Sequence, residues 1–449
     1  MHADDTIAAI GTPPGKGAIA IVRVSGPAVR ELARRLVRTK DALQPRVATS
    51  ATIVDENQRP LDRGLALLFV APASYTGEDL LELHVHGSPV VAREIVRAML
   101  ACGARPAQPG EFTRRAFLNG KMDLHEAEAV ADVIDAETRS AARAALANLG
   151  GGLANQVRAL RVALATVLEE LAAAIDFPDE VPDPGQERLD TALAAVAAEL
   201  EQLRADGERG RLVREGVTAA IVGPPNAGKS SLLNALLGED RAIVSELAGT
   251  TRDTLEESIA VGGVAVRLVD TAGIRAHADR LEAAGIERAQ RALAAARIAI
   301  VVIDGSQPVH AEARALLAAT RDRTRVVFFN KADLGEAGAR EAGVADAIVG
   351  STRNPATLAA LREAIAQVGW GGEVPDLERP HLAALREFAA VNEALDALAR
   401  ARATLAAGEP SDFIAGELQT AFSALGHVSE RVAAEEVIDG IFARFCIGK

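Results

Sequence analysis

Residues 223–230, which read Gly-Pro-Pro-Asn-Ala-Gly-Lys-Ser, form a pattern that can bind phosphate groups. The glycines let backbone amides turn toward a phosphate, and the start of a following helix adds partial positive charge. Lys229 can reach the outer phosphates of a nucleotide, and the hydroxyl of Ser230 can bind Mg²⁺. An apolar run over residues 217–222 precedes the motif, and a helix predicted over residues 231–237 follows it. This is the strand–loop–helix context that the motif requires.

Three further polar motifs follow predicted strands and indicate that the nucleotide is GTP. The first, Asp270-Thr271-Ala272-Gly273, offers a carboxylate that can hold Mg²⁺ through water and a glycine amide that can contact a γ-phosphate. In Asn330-Lys331-Ala332-Asp333, the last carboxylate can accept hydrogen bonds from N1 and N2 of guanine, a pair of donors that adenine lacks. The third, Ser351-Thr352-Arg353, lies where a second guanine-contacting loop is expected. In this order the motifs resemble those of the translation-factor-like branch of Ras-type GTPases.

Two positions near these motifs bear on how GTP would be hydrolysed. Ile274 stands where Ras uses a glutamine to orient the attacking water, and an aliphatic side chain cannot do this by hydrogen bonding. The amide oxygen of Asn226 can coordinate a monovalent cation, and potassium there would supply the charge that an arginine finger supplies elsewhere. The alternative is that Asn226 is simply a turn-forming residue. Residues 249–253, Gly-Thr-Thr-Arg-Asp, supply hydroxyls, one of which should reach Mg²⁺ when GTP is bound.

Hydrophobic patterning divides the chain into four stretches and predicts a multidomain fold. Residues 1–118 alternate short apolar runs with Gly and Pro turns, which indicates an α+β domain. Residues 216–372 alternate apolar strands with helices, which indicates a mostly parallel, Ras-like P-loop G domain. Residues 119–215 and 373–449 are helical and similar in composition. We interpret them as one discontinuous helical domain that carries the G domain as an insertion; two unrelated helical domains are the alternative.

Individual elements follow from the same patterns. We predict strands over residues 18–24, 64–70, 80–85, 217–222, 264–269, 299–303 and 325–329. Helical spacing covers residues 91–101, 123–176, 187–205, 377–407 and 411–442. Within 123–176 the single break is Gly150-Gly151-Gly152, which we interpret as a hinge or a tight turn between helices.

Composition excludes several classes of protein. The 449 residues include 49 Lys and Arg against 62 Asp and Glu, a net charge of −13, which argues against bulk charge as the means of binding nucleic acid. Two cysteines, Cys102 and Cys446, cannot form a disulfide framework and fit a reducing, cytoplasmic compartment. The N-terminus is acidic and lacks the apolar region of a signal peptide, so we expect no signal peptide. No apolar run approaches the roughly 20 residues that span a bilayer, so we expect no stable membrane insertion.

Beyond the nucleotide motifs, nearly the whole chain resembles the MnmE (TrmE) family of bacterial tRNA-modification GTPases. The resemblance rests on the Asn-bearing phosphate loop, on residues 249–253 and on the C-terminal Cys446-Ile447-Gly448-Lys449. It also rests on four N-terminal motifs: Asp-Thr-Ile at 5–7, Thr-Pro-Pro-Gly at 12–15, Tyr-Thr-Gly-Glu-Asp at 75–79 and Pro-Gly-Glu-Phe-Thr at 109–113.

The resemblance implies a homodimer whose G domains meet face to face across GTP and potassium. It implies an N-terminal domain over residues 1–118 that binds a tetrahydrofolate derivative, either 5-formyl or 5,10-methylene. It further implies joint action with the FAD-dependent flavoprotein MnmG, in a heterotetramer or larger complex. Together they would build an aminomethyl or carboxymethylaminomethyl group on C5 of the wobble uridine of certain tRNAs.

Carried over residue by residue, the resemblance assigns a nucleotide and metal site. Asn226 becomes a potassium ligand together with Ser245, Leu247 and Thr250, and Ser230 and Thr251 become ligands of Mg²⁺. Glu282 would orient the attacking water through a bridging water, although from the sequence alone it is an ordinary surface residue. The catalytic set is Glu282, Lys229, Thr251, Gly273 and Cys446. The other nucleotide-contacting residues are Ala227, Gly228, Ser231, Glu246, Ala248, Gly249, Asp270, Thr271, Ala272, Asn330, Lys331, Asp333, Ser351, Thr352 and Arg353.

For the folate, the resemblance assigns Arg23, Glu82, Lys121 and Lys449. A carboxylate can pair with the pterin nitrogens, and cations can face the glutamate tail. Cys446 is implied to matter for tRNA modification, either by direct covalent chemistry or as a small residue packed near the terminus. His84 and His86 lie two apart on a predicted strand and so face the same side, but a metal site there would need further ligands.

Two rival functions remain open. A ribosome-assembly GTPase with a similar G domain would carry a basic RNA-binding appendage, which the sequence does not show. A non-catalytic folate-binding scaffold would carry a degenerate G domain, and the phosphate and guanine motifs are intact. Residues 1–118 hold 15 basic and 12 acidic side chains, whereas the two helical stretches hold 17 and 32. We therefore expect tRNA to approach the N-terminal domain and not the helical faces.

Overall fold

A computed structural model of the chain describes residues 5–239, 257–269, 293–372, 379–429, 435–443, 445, 447 and 448. Its contacts divide into two units, one of residues 1–131 with 423–449 and the other of residues 132–422. No helix in the described part of the chain is long and apolar enough to cross a membrane.

The first unit is built on a seven-stranded sheet of order β3-β4-β5-β6-β2-β1-β7, in which β1 and β7 pair in parallel and the other neighbours are antiparallel. Alternate residues of β2 and β6 are buried in one core with α1 and α2, and their neighbours face away from it. The α+β prediction is confirmed, and Cys102 packs at the edge of this core. The strands are β1 Ile7–Ile10, β2 Ile19–Ser25, β3 Val37–Arg38, β4 Thr49–Val54, β5 Pro60–Phe69, β6 Leu80–His86 and β7 Arg105–Pro106; the helices are α1 Val29–Leu36, α2 Pro89–Ala101 and α3 Glu111–Leu118.

An ion-pair network joins three segments of the first unit. Arg105 bonds Asp5 at 2.5 Å and both oxygens of Glu111 at 2.5 and 2.8 Å. Arg115 bonds Asp5 at 2.5 Å and Glu78 and Glu111 at 3.1 Å. Burial acts to raise the pKa of the Glu111 carboxyl, but hydrogen bonds from Arg105, the Gln108 amide and Arg115 bring it below its usual value. The network therefore holds these segments together through paired charges that are centred on the buried Glu111 and Arg115.

Residues from the far end of the chain complete this unit. The helix Glu435–Phe442 presents Phe442 to Phe117 of α3, with ring centroids 6.4 Å apart, and Phe445 stacks on Phe442 at 5.4 Å. Ile447 forms a bridge with Pro109, and a Cβ at Gly448 would lie 2.3 Å from the carbonyl oxygen of Ile10. The absence of a side chain at Gly448 lets this segment lie directly against the end of β1.

Four described helices follow α3 along the chain before residue 216: α4 Leu124–Asp135, α5 Arg139–Asn148, α6 Gly152–Asp176 and α7 Gln186–Glu215. The glycine triplet does form a tight turn between helices, as predicted. The prediction of a single break in 123–176 is wrong, because a second one separates α4 from α5. Thr138 makes it: its hydroxyl accepts a hydrogen bond from the Ala141 amide at 3.1 Å, capping α5, and donates one to the Gly263 carbonyl at 2.8 Å.

Helix α7 runs ten residues beyond its predicted end at Ala205. The two glycines that suggest a helix end, Gly207 and Gly210, are buried within it. A Cβ at Gly207 would lie 2.7 Å from that of Leu382, and one at Gly210 would lie 2.1 Å from the His381 ring. These glycines let the chain around residue 382 pack directly on the helix, and this close approach explains their presence in a helix interior.

The G domain contains a six-stranded sheet of order β13-β12-β11-β8-β10-β9, in which β9 is antiparallel to β10 and the other pairs are parallel. Core clusters cover both faces, and the predicted mostly parallel sheet is confirmed. The carboxyl ends of β8, β11 and β12 meet at one edge of the sheet. The strands are β8 Val217–Val222, β9 Glu257–Val261, β10 Val264–Val269, β11 Ile298–Asp304, β12 Arg325–Asn330 and β13 Ile348–Val349; the helices are α8 Lys229–Glu239, α9 Ala311–Ala319, α10 Ala337–Ala342 and α11 Pro355–Trp370.

After the G domain come α12 Leu385–Ala406 and α13 Ser411–Ser429, followed by the helix Glu435–Phe442 of the first unit. Helix α12 begins eight residues later than predicted, because Glu387 caps it: one carboxylate oxygen accepts hydrogen bonds from the amides of Ala383 at 2.8 Å and Ala384 at 3.1 Å. The predicted helix over 411–442 includes residues 430–434, which lie outside the described residues. Helix α8 begins at Lys229, two residues before its predicted start.

We expect Glu111→Gln to weaken the first unit by about 3 kcal/mol at pH 7, because it removes the buried carboxylate that bonds both Arg105 and Arg115. The pKa of Glu111 is lowered in the folded protein, so this stabilisation is present above the pKa of a free Glu, about 4.3, and is lost as pH falls through the lowered value. The variant should therefore differ from the parent at pH 7 and approach it as the pH falls through the lowered pKa of Glu111. Hydrogen exchange of peptides from residues 5–118 measures this. Glu56→Gln, in an exposed turn, is the control, and equal protection of Glu111→Gln and the parent at pH 7 contradicts the expectation.

Candidate functional site

The phosphate-binding loop lies at the carboxyl end of β8, pressed against the neighbouring strand. A Cβ at Gly223 would lie 2.1 Å from the carbonyl oxygen of Val302 in β11, so a side chain there has no room. Two loop residues take left-handed backbone angles, Asn226 with φ 59° and Gly228 with φ 100°. Asparagine tolerates this region better than most residues, and glycine adopts it freely. The Asn226 side chain is exposed at the turn.

Lys229 bends back over the loop at the first turn of α8. Its ammonium donates to the carbonyl oxygens of Gly223 at 2.8 Å and Pro224 at 2.7 Å. Burial lowers the pKa of the ammonium, and the charge of Glu312 offsets part of this. Ser230 and Ser231 follow it with exposed side chains at the N-terminal end of the helix. Lysine and helix start thus place positive charge where a nucleotide phosphate would lie.

Asn330 links the phosphate loop to the guanine motifs. Its side-chain amide donates to the Ala227 carbonyl at 3.0 Å, and its oxygen accepts from the backbone amides of Lys331 at 2.8 Å and Thr352 at 3.2 Å. The residue is 2% exposed. A Cβ at Gly228 would lie 2.1 Å from its amide nitrogen. The structure therefore brings together three motifs that lie far apart in the sequence.

The hydrogen bonds of Asn330 to the phosphate loop and to the guanine motifs are called the Asn330 joint. A cavity of about 430 Å³ lies beside this joint. It is lined by Asp333, Ser351 and Arg353 of the predicted guanine-contacting motifs, together with Asn354 and Thr357. Asp333 is exposed to solvent, and Ser351 is buried with its hydroxyl accepting from the Arg353 amide at 3.3 Å. Asp333 is thus free of the core and can accept from a purine edge, as its motif predicts.

Asp304, at the end of β11, belongs to the same site and was not identified from the sequence. One carboxylate oxygen bonds the Lys331 ammonium at 2.7 Å. The other accepts from the amide and hydroxyl of Ser306, at 3.0 and 2.6 Å. Burial acts to raise the pKa of Asp304, but these bonds bring it below its usual value. The available signal was a polar residue directly after an apolar strand, at the edge where the other motifs begin.

Several predicted site residues lie outside the described residues. They are Ser245, Glu246, Leu247, Ala248, Gly249, Thr250, Thr251, Asp270, Thr271, Ala272, Gly273, Glu282, Cys446 and Lys449.

A second charged site lies on the sheet of the first unit, where Arg23 of β2 stands directly opposite Glu82 of β6. The Arg23 guanidinium donates from two nitrogens to one Glu82 oxygen, at 3.0 and 2.7 Å. Two aromatic rings flank the guanidinium carbon, Tyr75 at 5.4 Å and Phe112 at 5.6 Å from their centroids. A further nitrogen of Arg23 lies 3.5 Å from the carbonyl oxygen of Gly448. The arginine is thus held by contacts with four residues.

Other polar residues lie around this pair. Lys121 donates from its ammonium to the Pro72 carbonyl at 3.1 Å, and a Cβ at Gly77, in the segment that carries Tyr75, would lie 3.4 Å from its Cγ. His84 lies on the same face of β6, its Nε2 3.5 Å from the second Glu82 oxygen. His86 bonds Asp62 at 2.8 Å. The structure thus brings Arg23 and Glu82 into contact and places Lys121 on a neighbouring loop.

Three features define a P-loop protein of the guanine-nucleotide-binding class. They are the strand–loop–helix geometry, the parallel sheet, and the Asn-Lys-x-Asp motif bonded to the phosphate loop. Two family models match the chain, the "GTP-binding protein TrmE N-terminus" over residues 6–121 and the "MnmE helical domain" over residues 124–446. The chain belongs to the MnmE family of tRNA modification GTPases.

Curated relatives match over the full length. The tRNA modification GTPase MnmE of Chloroflexus aurantiacus is 42% identical across 99% of this chain and 100% of its own. The Azoarcus sp. protein of the same name is 44% identical across 99% and 98%, and that of Heliobacterium modesticaldum 41% across 99% of both. Among solved structures, the G domain of the T. maritima FeoB iron transporter matches 34% of this chain and 98% of its own, at 22% identity and a TM-score of 0.26, which is too low to bear on function.

We expect Gly228→Ala to weaken GDP binding by roughly tenfold or more, because a side chain at φ 100° is strained by about 1–3 kcal/mol and would also displace Asn330. Gly238→Ala, later in α8 and with open space around it, is the matched control and should bind as the parent does. Titration with a fluorescent GDP analogue measures both. Equal affinity of the two variants would show that the Gly228–Asn330 contact does not shape the site.

Proposed function

We propose that this protein hydrolyses GTP and, with a flavoprotein partner, modifies C5 of the wobble uridine of certain tRNAs. The observation that carries the proposal is the Asn330 joint, which assembles intact phosphate and guanine motifs in a chain related over its full length to tRNA modification GTPases. Intact phosphate and guanine motifs support nucleotide binding, and so favour a GTPase over a scaffold with a degenerate G domain.

The described residues fit a bound guanine nucleotide. Lys229 and the start of α8 would face its phosphates, and Asp333 its base. Ser230, exposed at the helix start, would hold Mg²⁺ together with Thr251, and the metal would neutralise charge that develops on the phosphates. A carbonyl now bonded by Lys229 would lose that bond when the ammonium turns to the phosphates. This ties the conformation of the loop to nucleotide binding.

Asn226 fits the proposed potassium site in one respect: its side chain is exposed at the loop turn and not used in the core. We propose it as a ligand with Ser245, Leu247 and Thr250, and Glu282 as the residue that orients water in place of the Ile274 side chain. Potassium would add positive charge beside the phosphates, as an arginine finger does in other GTPases.

The Arg23–Glu82 pair is our candidate for the tetrahydrofolate site, in which the ligand would supply the one-carbon unit. Arg23 takes one oxygen of Glu82, and the other, which lies 3.5 Å from His84 Nε2, would accept from a donor such as a pterin N–H. Phe112 is fully buried and supports the guanidinium from the core side, whereas Tyr75, which is only partly buried, offers apolar surface suited to a flat ring. Lys121 and Lys449 would add positive charge for the glutamate tail.

For assembly we propose a homodimer that works with FAD-dependent MnmG on tRNA in the cytoplasm. Cys446 is proposed to take part in the modification step. The domain boundaries 1–118, 119–215, 216–372 and 373–449 stay predictions.

If Asn226 is a potassium ligand, GTP turnover by the parent should be faster in KCl than in NaCl at equal ionic strength. Asn226→Ala should remove this difference, because one ligand of the cation is lost. Steady-state phosphate release measures both, with Asn57→Ala, in an exposed turn of the first unit, as control. Parent turnover that is the same in both salts contradicts the assignment.

In a strain that lacks this protein, mass spectrometry of tRNA nucleosides should show loss of the aminomethyl or carboxymethylaminomethyl group at the wobble uridine. The parent gene should restore it, and the gene carrying Gly228→Ala should not, because its nucleotide site is damaged. Normal wobble uridines in the deletion strain would refute the proposed function.

A further inference from the structure

The guanine-motif lysine is held by one carboxylate from the neighbouring strand. Lys331 has a left-handed backbone, with φ 65°, directly after the buried Asn330. Its ammonium is bonded to Asp304 at 2.7 Å, and its side chain is 31% exposed. The flexible four-carbon stem of the lysine is therefore tied at both ends, at the backbone by Asn330 and at the tip by Asp304.

Asp304 is itself held in place by bonds other than the one to Lys331. It is the last residue of β11 and stands opposite Asn330 in the parallel ladder. Ser306 holds one oxygen through its amide and hydroxyl, which leaves the other directed at Lys331. The Gly305 amide donates to the Asn330 carbonyl at 2.8 Å, so the turn after the strand is bonded to the same residue.

We propose that Asp304 is a positioning residue for guanine-nucleotide binding, which holds the Lys331 stem against the place of the base between the phosphate loop and Asp333. The inference deepens the proposed GTPase function and rests on it. The apolar stem of a lysine can cover a flat ring once its charged tip is anchored elsewhere. Anchoring the tip in advance means that less side-chain freedom is lost when the nucleotide binds.

Asp304→Ala should therefore weaken GDP binding by roughly 3- to 10-fold, the cost of immobilising one long side chain. Lys331→Ala should weaken it as well. Because Asp304 acts through Lys331, adding Asp304→Ala to Lys331→Ala should cause little further loss, which is the signature of coupled residues. Asp304→Asn, which keeps an acceptor but loses the charge, should lie between Asp304→Ala and the parent.

The measurements are titration with a fluorescent GDP analogue and thermal unfolding of the nucleotide-free full-length protein. Asp322→Ala, an exposed residue near the opposite end of β12, is the matched control and should bind as the parent. Equal fold-losses from Asp304→Ala in the parent and in the Lys331→Ala background would overturn the proposal, since the residue would then act on the fold generally. Unchanged binding by Asp304→Ala would also overturn it. A parent that does not bind GDP would refute the proposed function as well, which separates that failure from the other two.

Discussion

The nucleotide site depends on the three hydrogen bonds of the Asn330 side chain. A buried amide must satisfy its donor and acceptor atoms, and leaving one unpaired costs about 1–3 kcal/mol. This one does so with the backbones of the phosphate loop, its own motif and the loop at Thr352. Each is a different chain segment, so the positions of all three follow from one planar group. The parallel order of β8, β11 and β12 brings these segments to one edge, and the amide fixes their register there.

The first unit is organised in a comparable way by charge. Asp5, Glu78 and Glu111 belong to motifs that support the family resemblance, and in the fold they form ion pairs with Arg105 and Arg115. Removing any one of these residues would take a partner from a buried charge and so destabilise the whole network. The neighbouring Tyr75 and Phe112, from two of the same motifs, are left to flank Arg23. One set of motifs thus supplies both the frame and the lining of the candidate folate site.

The phosphate loop and strands β2, β5, β6, β8, β10, β11 and β12 could be predicted from the sequence, because apolar runs and glycine positions are local signals. Strands β1, β3, β4, β7, β9 and β13 were not predicted, and three of these, β3, β7 and β13, are only two residues long. Helix ends were harder to predict. Glycines such as Gly207 and Gly210 are typical of a helix end, and only their packing against residues 381 and 382 explains why they lie inside a helix. Thr138 gave a capping signal that the surrounding helical pattern masked. Long-range partners carried no local signal at all. Arg115 and Asp5 are 110 residues apart, and the Asp304–Lys331 pair depends on strand order.

The contact between Arg23 and Gly448 spans 425 residues. During synthesis the second unit, residues 132–422, emerges between the two parts of the first. At roughly 5–20 residues per second, Arg23 waits on the order of half a minute or more for the segment that packs beside it. The first unit therefore cannot reach its final form on the ribosome before nearly all of the chain exists. The surroundings of Arg23 are therefore completed only once residue 448 has been synthesised, whereas the described strands of the G domain exist much earlier.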